Sequence, residues 1–314
     1  MPQPGLPYKD FMIIDAHSHY IPPEIAQKTS FFKQFWSDHK AQLEAMDEHR
    51  IDAAILLYPT TDAHISMGGW SNVCEIYNEE IANLVKSSNG RFIGGGIIPV
   101  DQPELIPAEL ARIQNLGLKV LSLASSYNGT YLDDMCFDVV FEFASKHKMP
   151  VHIHSQIIEP IGIERVNDPL LTPVLEYVFD VSMCIGKMMM SGVFLKYPDV
   201  NFIFAHYGGV LPLVKERFDT TYAMLRKRKI VKDISKQPSE FFKNLYIDMS
   251  GSKSAASLAL ALELSDVEHI CWGSDFPANQ NLAGSLDVVS AQILSTEERE
   301  KISGRNILSI LKNS

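Results

Sequence analysis

Hydrophobic and polar positions follow two rhythms along this chain. Short apolar, β-prone runs recur at Met12–His17, Ala53–Tyr58, Phe92–Ile98, Lys119–Leu123, Val151–His154, Asn201–Ala205, Leu245–Met249 and His269–Gly273. Nearly all are rich in Ile, Val, Leu or Phe, the pattern of parallel strands covered on both faces. Longer stretches with helical spacing lie between them. Asn72–Ser87 repeats apolar residues on one face, Asp133 is placed to cap Asp134–Lys146, and Pro198-Asp199 stops the stretch before the sixth run. Ser295-Thr-Glu-Glu298 is a capping box. This alternation, with no internal repeat or linker, predicts a single α/β domain over residues 1–314: a (β/α)8 TIM barrel. An open doubly wound sheet would want a Gly-rich phosphate turn after the first strand. The sequence there reads Asp15-Ala-His-Ser-His19 instead.

One stretch breaks the rhythm. Residues 20–45 are too long for a simple connection, and Pro22–His39 carries Phe31, Phe32, Phe35 and Trp36. This predicts a short insertion after the first strand. It would form either a lid over the barrel mouth, with Trp36 as a substrate contact, or an aromatic patch packed on the barrel wall.

Composition narrows the function. The 314 residues are 46% hydrophobic and 21% charged, which fits a packed globule and not a disordered chain. A net charge of −10 argues against a nucleic-acid partner. No apolar run reaches the roughly 18 residues of a membrane span. The first ten residues lack the basic-then-apolar order of a signal peptide. The four cysteines, Cys74, Cys136, Cys184 and Cys271, lie far apart and read as buried free thiols in a reducing compartment. A soluble, cytoplasmic, acidic protein is expected.

In a barrel, chemistry sits at the C-terminal ends of the strands. The first strand delivers His17 and His19 there, two residues apart and hence on one face. The fifth ends Val151-His-Ile-His154, the sixth leads to His206, and the eighth leads to Asp275. Four strands thus bring His or Asp to one rim, where imidazoles need partners and a metal ion is the simplest one. His152 faces inward one layer deeper and reads as a hydrogen-bonded barrel residue, with direct ligation the lesser alternative. Asp248 is placed either to support the ligands or to cap a turn. His39, His49, His64, His147 and His269 fall on helices, loops or a strand start and carry no assigned role.

These motifs carry a resemblance. Ile14-Asp-Ala-His-Ser-His19, Met46-Asp47, Asn78-Glu-Glu-Ile-Ala82, Pro150-Val-His-Ile-His154, Ser191-Gly-Val-Phe194, Tyr197-Pro198, Phe204-Ala-His-Tyr-Gly-Gly209, Gly273-Ser-Asp-Phe-Pro277 and Gly304-Arg-Asn306 occur in this order. The chain resembles the amidohydrolase superfamily, in particular the branch containing aminocarboxymuconate-semialdehyde decarboxylase and related non-oxidative decarboxylases. The resemblance implies His17, His19, His154 and Asp275 as metal ligands, with His206 as the catalytic histidine and Asp275 also catalytic. Branches with two metals carry a lysine at the end of the fourth strand. Here Lys119 stands at its start, which supports one metal per subunit and no organic cofactor. Three imidazoles, a carboxylate and a water suit zinc, and manganese tolerates the same set.

Arg217, eleven residues after His206, matches an arginine that in those decarboxylases binds the substrate carboxylate across a homodimer interface. The alternative is a surface charge on a helix spanning Leu211–Lys227. One feature departs from the resemblance: Pro22–Trp36 contains no arginine, whereas aminocarboxymuconate-semialdehyde decarboxylase has a longer insertion that supplies one. The expected activity is metal-dependent decarboxylation of an aromatic or unsaturated carboxylic acid. Hydrolysis of a lactone, amide or ester by a metal-activated water is the alternative, and a metal-binding scaffold without catalysis is a remote third.

Overall fold

The computed structural model describes residues 11–30, 34–290 and 293–312. Eight parallel strands follow one another around a barrel: β1 (Ile14–His19), β2 (Ala53–Leu57), β3 (Phe92–Gly96), β4 (Val120–Ala124), β5 (Val151–His154), β6 (Phe202–Phe204), β7 (Tyr246–Asp248) and β8 (Ile270–Cys271). Backbone hydrogen bonds close the ring between β8 and β1: Ala16 N donates to Trp272 O (2.9 Å), Asp275 N to His17 O (2.8 Å) and His19 N to Phe276 O (2.7 Å). The expected barrel is therefore the observed fold.

Strand alternation divides the core into two layers. Ala53, Ile55 and Leu57 of β2, Val120 of β4, Ile203 of β6 and Cys271 of β8 pack inside the barrel. Leu56, Val151, Ile153, Phe202, Phe204 and Ile247 point outward into a larger core shared with the helices. Asn306 Nδ2 donates to Val267 O (2.8 Å) and Ile270 O (2.7 Å). This fixes the helix Asn306–Leu311 so that Ile307 and Ile310 join the inner cluster.

The first strand departs from expectation. It begins at Ile14 instead of Met12 and continues to His19. Its pairing with β2 slips between Asp15 and Ser18, where β1 spends one extra residue. This bulge lets Ile14 and Ala16 face the inner cluster and then turns His17 and His19 to the same side. A second correction concerns the cap: Asp134, not Asp133, accepts from Cys136 N (2.9 Å) and opens a short 3-10 turn before the helix Asp138–His147. Cys136 is only half-buried, unlike the other three free thiols.

Residues 20–45 hold a short helix at Pro23–Ala26, a 3-10 turn at Gln34–Ser37 and the start of the helix His39–His49. Phe31 and Phe32 lie outside the described residues. Among the described residues, no helix is long and apolar enough to cross a membrane.

Candidate metal centre

His17, His19, His154 and Asp275 meet at the C-terminal mouth of the barrel, with one ligand atom from each lying within 4.8 Å of the others. His17 Nε2 stands 2.9 Å from His19 Nε2. Asp275 Oδ1 lies 3.2 Å from His19 Nε2 and 3.5 Å from His17 Nε2. His154 Nε2 faces His206 Nε2 at 3.3 Å.

The opposite ring nitrogens explain this convergence. His17 Nδ1 donates to Asp248 Oδ2 (2.9 Å), His19 Nδ1 to Leu57 O (3.3 Å) and His154 Nδ1 to Ser155 O (2.9 Å). Each acceptor carries no proton of its own, so each imidazole keeps its proton on Nδ1. Burial holds the His17 ring down at about 4 despite the Asp248 charge, and pushes His154 well below the usual histidine value. Neutral rings with Nδ1 protonated leave bare lone pairs on Nε2. Those lone pairs, together with the Asp275 carboxylate, crowd one point and repel one another unless a cation sits between them. The donor set thus fits a single divalent metal held by three imidazoles and one carboxylate.

Asp248 organises the layer beneath. Its Oδ2 accepts from His17 Nδ1 and from His152 Nε2, each at 2.9 Å. Its Oδ1 accepts from Ser250 Oγ (2.5 Å), Ser250 N (3.0 Å) and His206 N (3.2 Å). Burial opposes the Asp248 charge, but the facing imidazoles and their hydrogen bonds hold its carboxyl well below the usual range. The same contest keeps Asp275 below its ordinary value: burial raises it, and the His19 hydrogen bond and neighbouring imidazoles outweigh that. His152 is thereby a hydrogen-bonded barrel residue, and its Nδ1 has no partner among the described residues.

His206 and Asp275 both leave their strands through left-handed backbone, at φ 55° and 62°. Such angles are costly for residues other than glycine and cluster where side chains must be aimed. His206 Nδ1 is held by Ser250 Oγ at 2.9 Å, which turns Nε2 toward the cavity. Asp15, one strand pair away, accepts from Ser274 Oγ (2.5 Å), Ser274 N (2.9 Å) and His17 N (3.1 Å), clamping the end of β8 to β1. Sequence reading left Asp248 open between two roles and missed Ser250 and Asp15.

Above this floor opens a cavity of about 540 Å³. Its walls are largely apolar and include Trp36, whose ring lies 5.8 Å from that of His19. No lysine or arginine lines it among the described residues. Arg217 lies exposed on the helix Leu211–Lys227, outside the cavity lining, and makes no ion pair among the described residues. The remaining histidines lie elsewhere: His64 stacks on Trp70, His147 meets Phe143, His269 meets Tyr246, and His39 lies near Tyr20.

Known proteins share this arrangement in sequence and fold. The chain is 26% identical over 294 residues to the 2-amino-3-carboxymuconate-6-semialdehyde decarboxylase of Dictyostelium discoideum, covering 90% of this chain and 79% of that one. The crystal structure of 2,6-dihydroxybenzoate decarboxylase from Rhizobium superposes with a TM-score of 0.83 at 22% identity, over 96% of this chain and 99% of that one. A dihydroxybenzoic acid decarboxylase from Polaromonas, solved with manganese and the inhibitor 2-nitroresorcinol, gives 0.81 at 22% identity, over 96% and 97%. The sequence profile of the amidohydrolase family matches residues 14–312, and the chain belongs to that family.

Proposed function

We propose that this protein is a metal-dependent decarboxylase that removes CO2 from an aromatic or unsaturated carboxylic acid without an organic cofactor. The observation that carries the reading is the meeting of three unprotonated Nε2 atoms and a carboxylate on the floor of a largely apolar cavity of about 540 Å³. A flat ring acid fits such a space, with its carboxylate toward the floor. The named decarboxylases among its relatives support the same chemistry.

His17, His19, His154 and Asp275 would hold the ion. When bound, it would anchor the acid and spread developing negative charge. Trp36 would cover one face of the ring, as part of a lid formed by residues 20–45. In the reaction, the carbon–carboxylate bond breaks, its electron pair returns to the ring carbon, and a proton takes the place of CO2. His206 presents Nε2 to the cavity while Nδ1 stays on Ser250, so it takes up and releases a proton at one defined atom. Asp275 is the second proton carrier at the same carbon.

Zinc is the proposed ion, because the donor set is rich in imidazole; manganese is the substitute, as in the Polaromonas relative. The cavity lining has no cationic side chain, so Arg217 of a second copy is proposed to grip the acid in a cytoplasmic homodimer. The test is CO2 release from a panel of aromatic carboxylic acids by metal-loaded protein. Hydrolysis of lactones, amides or esters with no CO2 from any acid would overturn the reading in favour of a hydrolase.

A further inference from the structure

The hydroxyl groups around the cavity are not equivalent. Tyr177 spends its proton on Ile157 O (3.1 Å), and Ser250 spends its own on Asp248. Ser252 donates to Ser257 Oγ (2.8 Å) and accepts from Ser254 N (3.3 Å). Tyr207 has Ser252 as its polar neighbour, and its own hydroxyl is sealed in the protein without a partner. Ser257 is the end of this chain: it accepts from Ser252, and its own proton has no acceptor among the described residues. Both serines line the cavity, and both are half-buried.

Their position is set by the fold. Ser252 follows β7 two residues after Ser250, and Gly251 between them lies so close to His206 that a Cβ there would sit 3.3 Å from Nδ1. Ser257 stands in the first turn of the helix Ala255–Leu264, which Ser254 caps by accepting from Ala256 N. The pair is thus held by backbone on the His206 side of the cavity. An ordered donor in a largely apolar wall favours a ligand that brings an acceptor to it and penalises one that leaves it unpaired.

We infer that Ser257, backed by Ser252, determines specificity by donating a hydrogen bond to the substrate, so that the preferred acid carries an oxygen acceptor on its ring in addition to the carboxylate. This rests on the proposed decarboxylase reading, which supplies the acid and its orientation. A hydroxyl, ether or carbonyl oxygen meets the requirement, and an alkyl group of equal size does not.

The experiment compares salicylates carrying a single methoxy group with the isosteres carrying ethyl at the same ring position. kcat/KM is measured for the wild type and for Ser257→Ala, Ser257→Thr and Ser252→Ala. Dissociation constants are measured in parallel for the matching nitrophenols, with nitro in place of the carboxylate. The wild type should prefer methoxy over ethyl by about tenfold at one ring position. Ser257→Ala should erase that preference by losing only the methoxy compound, Ser252→Ala should weaken it, and Ser257→Thr should retain it. Equal losses on both compounds, or an unchanged preference in Ser257→Ala, would overturn the inference. If no acid releases CO2 but the nitrophenols keep the Ser257-dependent preference, the decarboxylase reading falls and the subsite stands.

Discussion

His17 and Asp248 form a buried pair in which Nδ1 donates to Oδ2 at 2.9 Å, across 231 residues of sequence. This bond fixes the tautomer that leaves His17 Nε2 free for a metal. Asp248 also holds His152 and, through Ser250, His206. Replacing it with asparagine would put an amide where imidazole donors point. Asp248→Asn is expected to weaken metal affinity by roughly 10–100-fold, read as metal content after dialysis against graded chelator. Wild-type retention would show that the tautomer is set by something else.

Metal removal gives the second expectation. One divalent ion per chain should be recovered from native protein, and chelation should abolish turnover. Zinc or manganese should restore it. Because the ion binds the folded state, its return should also raise Tm by mass action. Full activity in metal-free protein would end the proposed mechanism.

Much of this was legible from spacing and some was not. His17, His19 and His154 stand out because imidazoles at period two on apolar strands have few structural uses, and Asp275 because it follows a strand end. The bulge in β1 was invisible, since one extra residue in a register leaves no mark on composition. Asp248 was visible only as a polar residue in an apolar run; its partners His17 and His152 come from other strands. Ser250 carried no signal, because serines after strands are common. Asp133 and Asp134 are equally good caps on paper, and only backbone geometry selects Asp134. Arg217 was placed on the right helix, but a single chain does not bring it to the cavity.

The pH dependence of stability in metal-free protein follows from the buried groups. His17 titrates at about 4 when folded, against 6.5 unperturbed, so between these values the unfolded chain binds more protons. Burial shifts His152 and His154 in the same direction. Asp15 opposes them: burial raises it from 3.8 to about 7, so acid favours its folded form. Three imidazoles outweigh one carboxyl, and Tm should fall as pH drops from about 7 to about 5. Asp15→Asn should steepen that fall. A Tm that rises with acid would mean that an imidazole is already protonated in the fold.

Gly273 bears directly on His17. A Cβ at this position would lie 2.8 Å from His17 Cβ and 3.4 Å from Asp248 Cβ. Neither is the far end of a flexible side chain, so the strands themselves must give. Gly273→Ala should cost about 1–3 kcal/mol of stability, measured by urea unfolding, and should lower metal content as His17 moves. Normal stability with a full metal complement would show that β1 and β8 separate without penalty.

Arg217 provides the test of a shared site. Its guanidinium is exposed and pairs with no carboxylate among the described residues, so little stability rests on it. If a second copy uses it to grip the acid, Arg217→Ala should raise KM by about tenfold or more, while metal content and Tm stay near wild type. Arg217→Lys should recover little, because an ammonium does not reproduce the two-pronged contact. The decisive measurement mixes Arg217→Ala with a metal-site variant such as His19→Ala, each inactive alone under low substrate. A mixed dimer contains one site with both an intact metal centre and an arginine from its neighbour, so activity should return on subunit exchange. No recovery, despite exchange demonstrated by mass spectrometry, would place the carboxylate grip within a single chain.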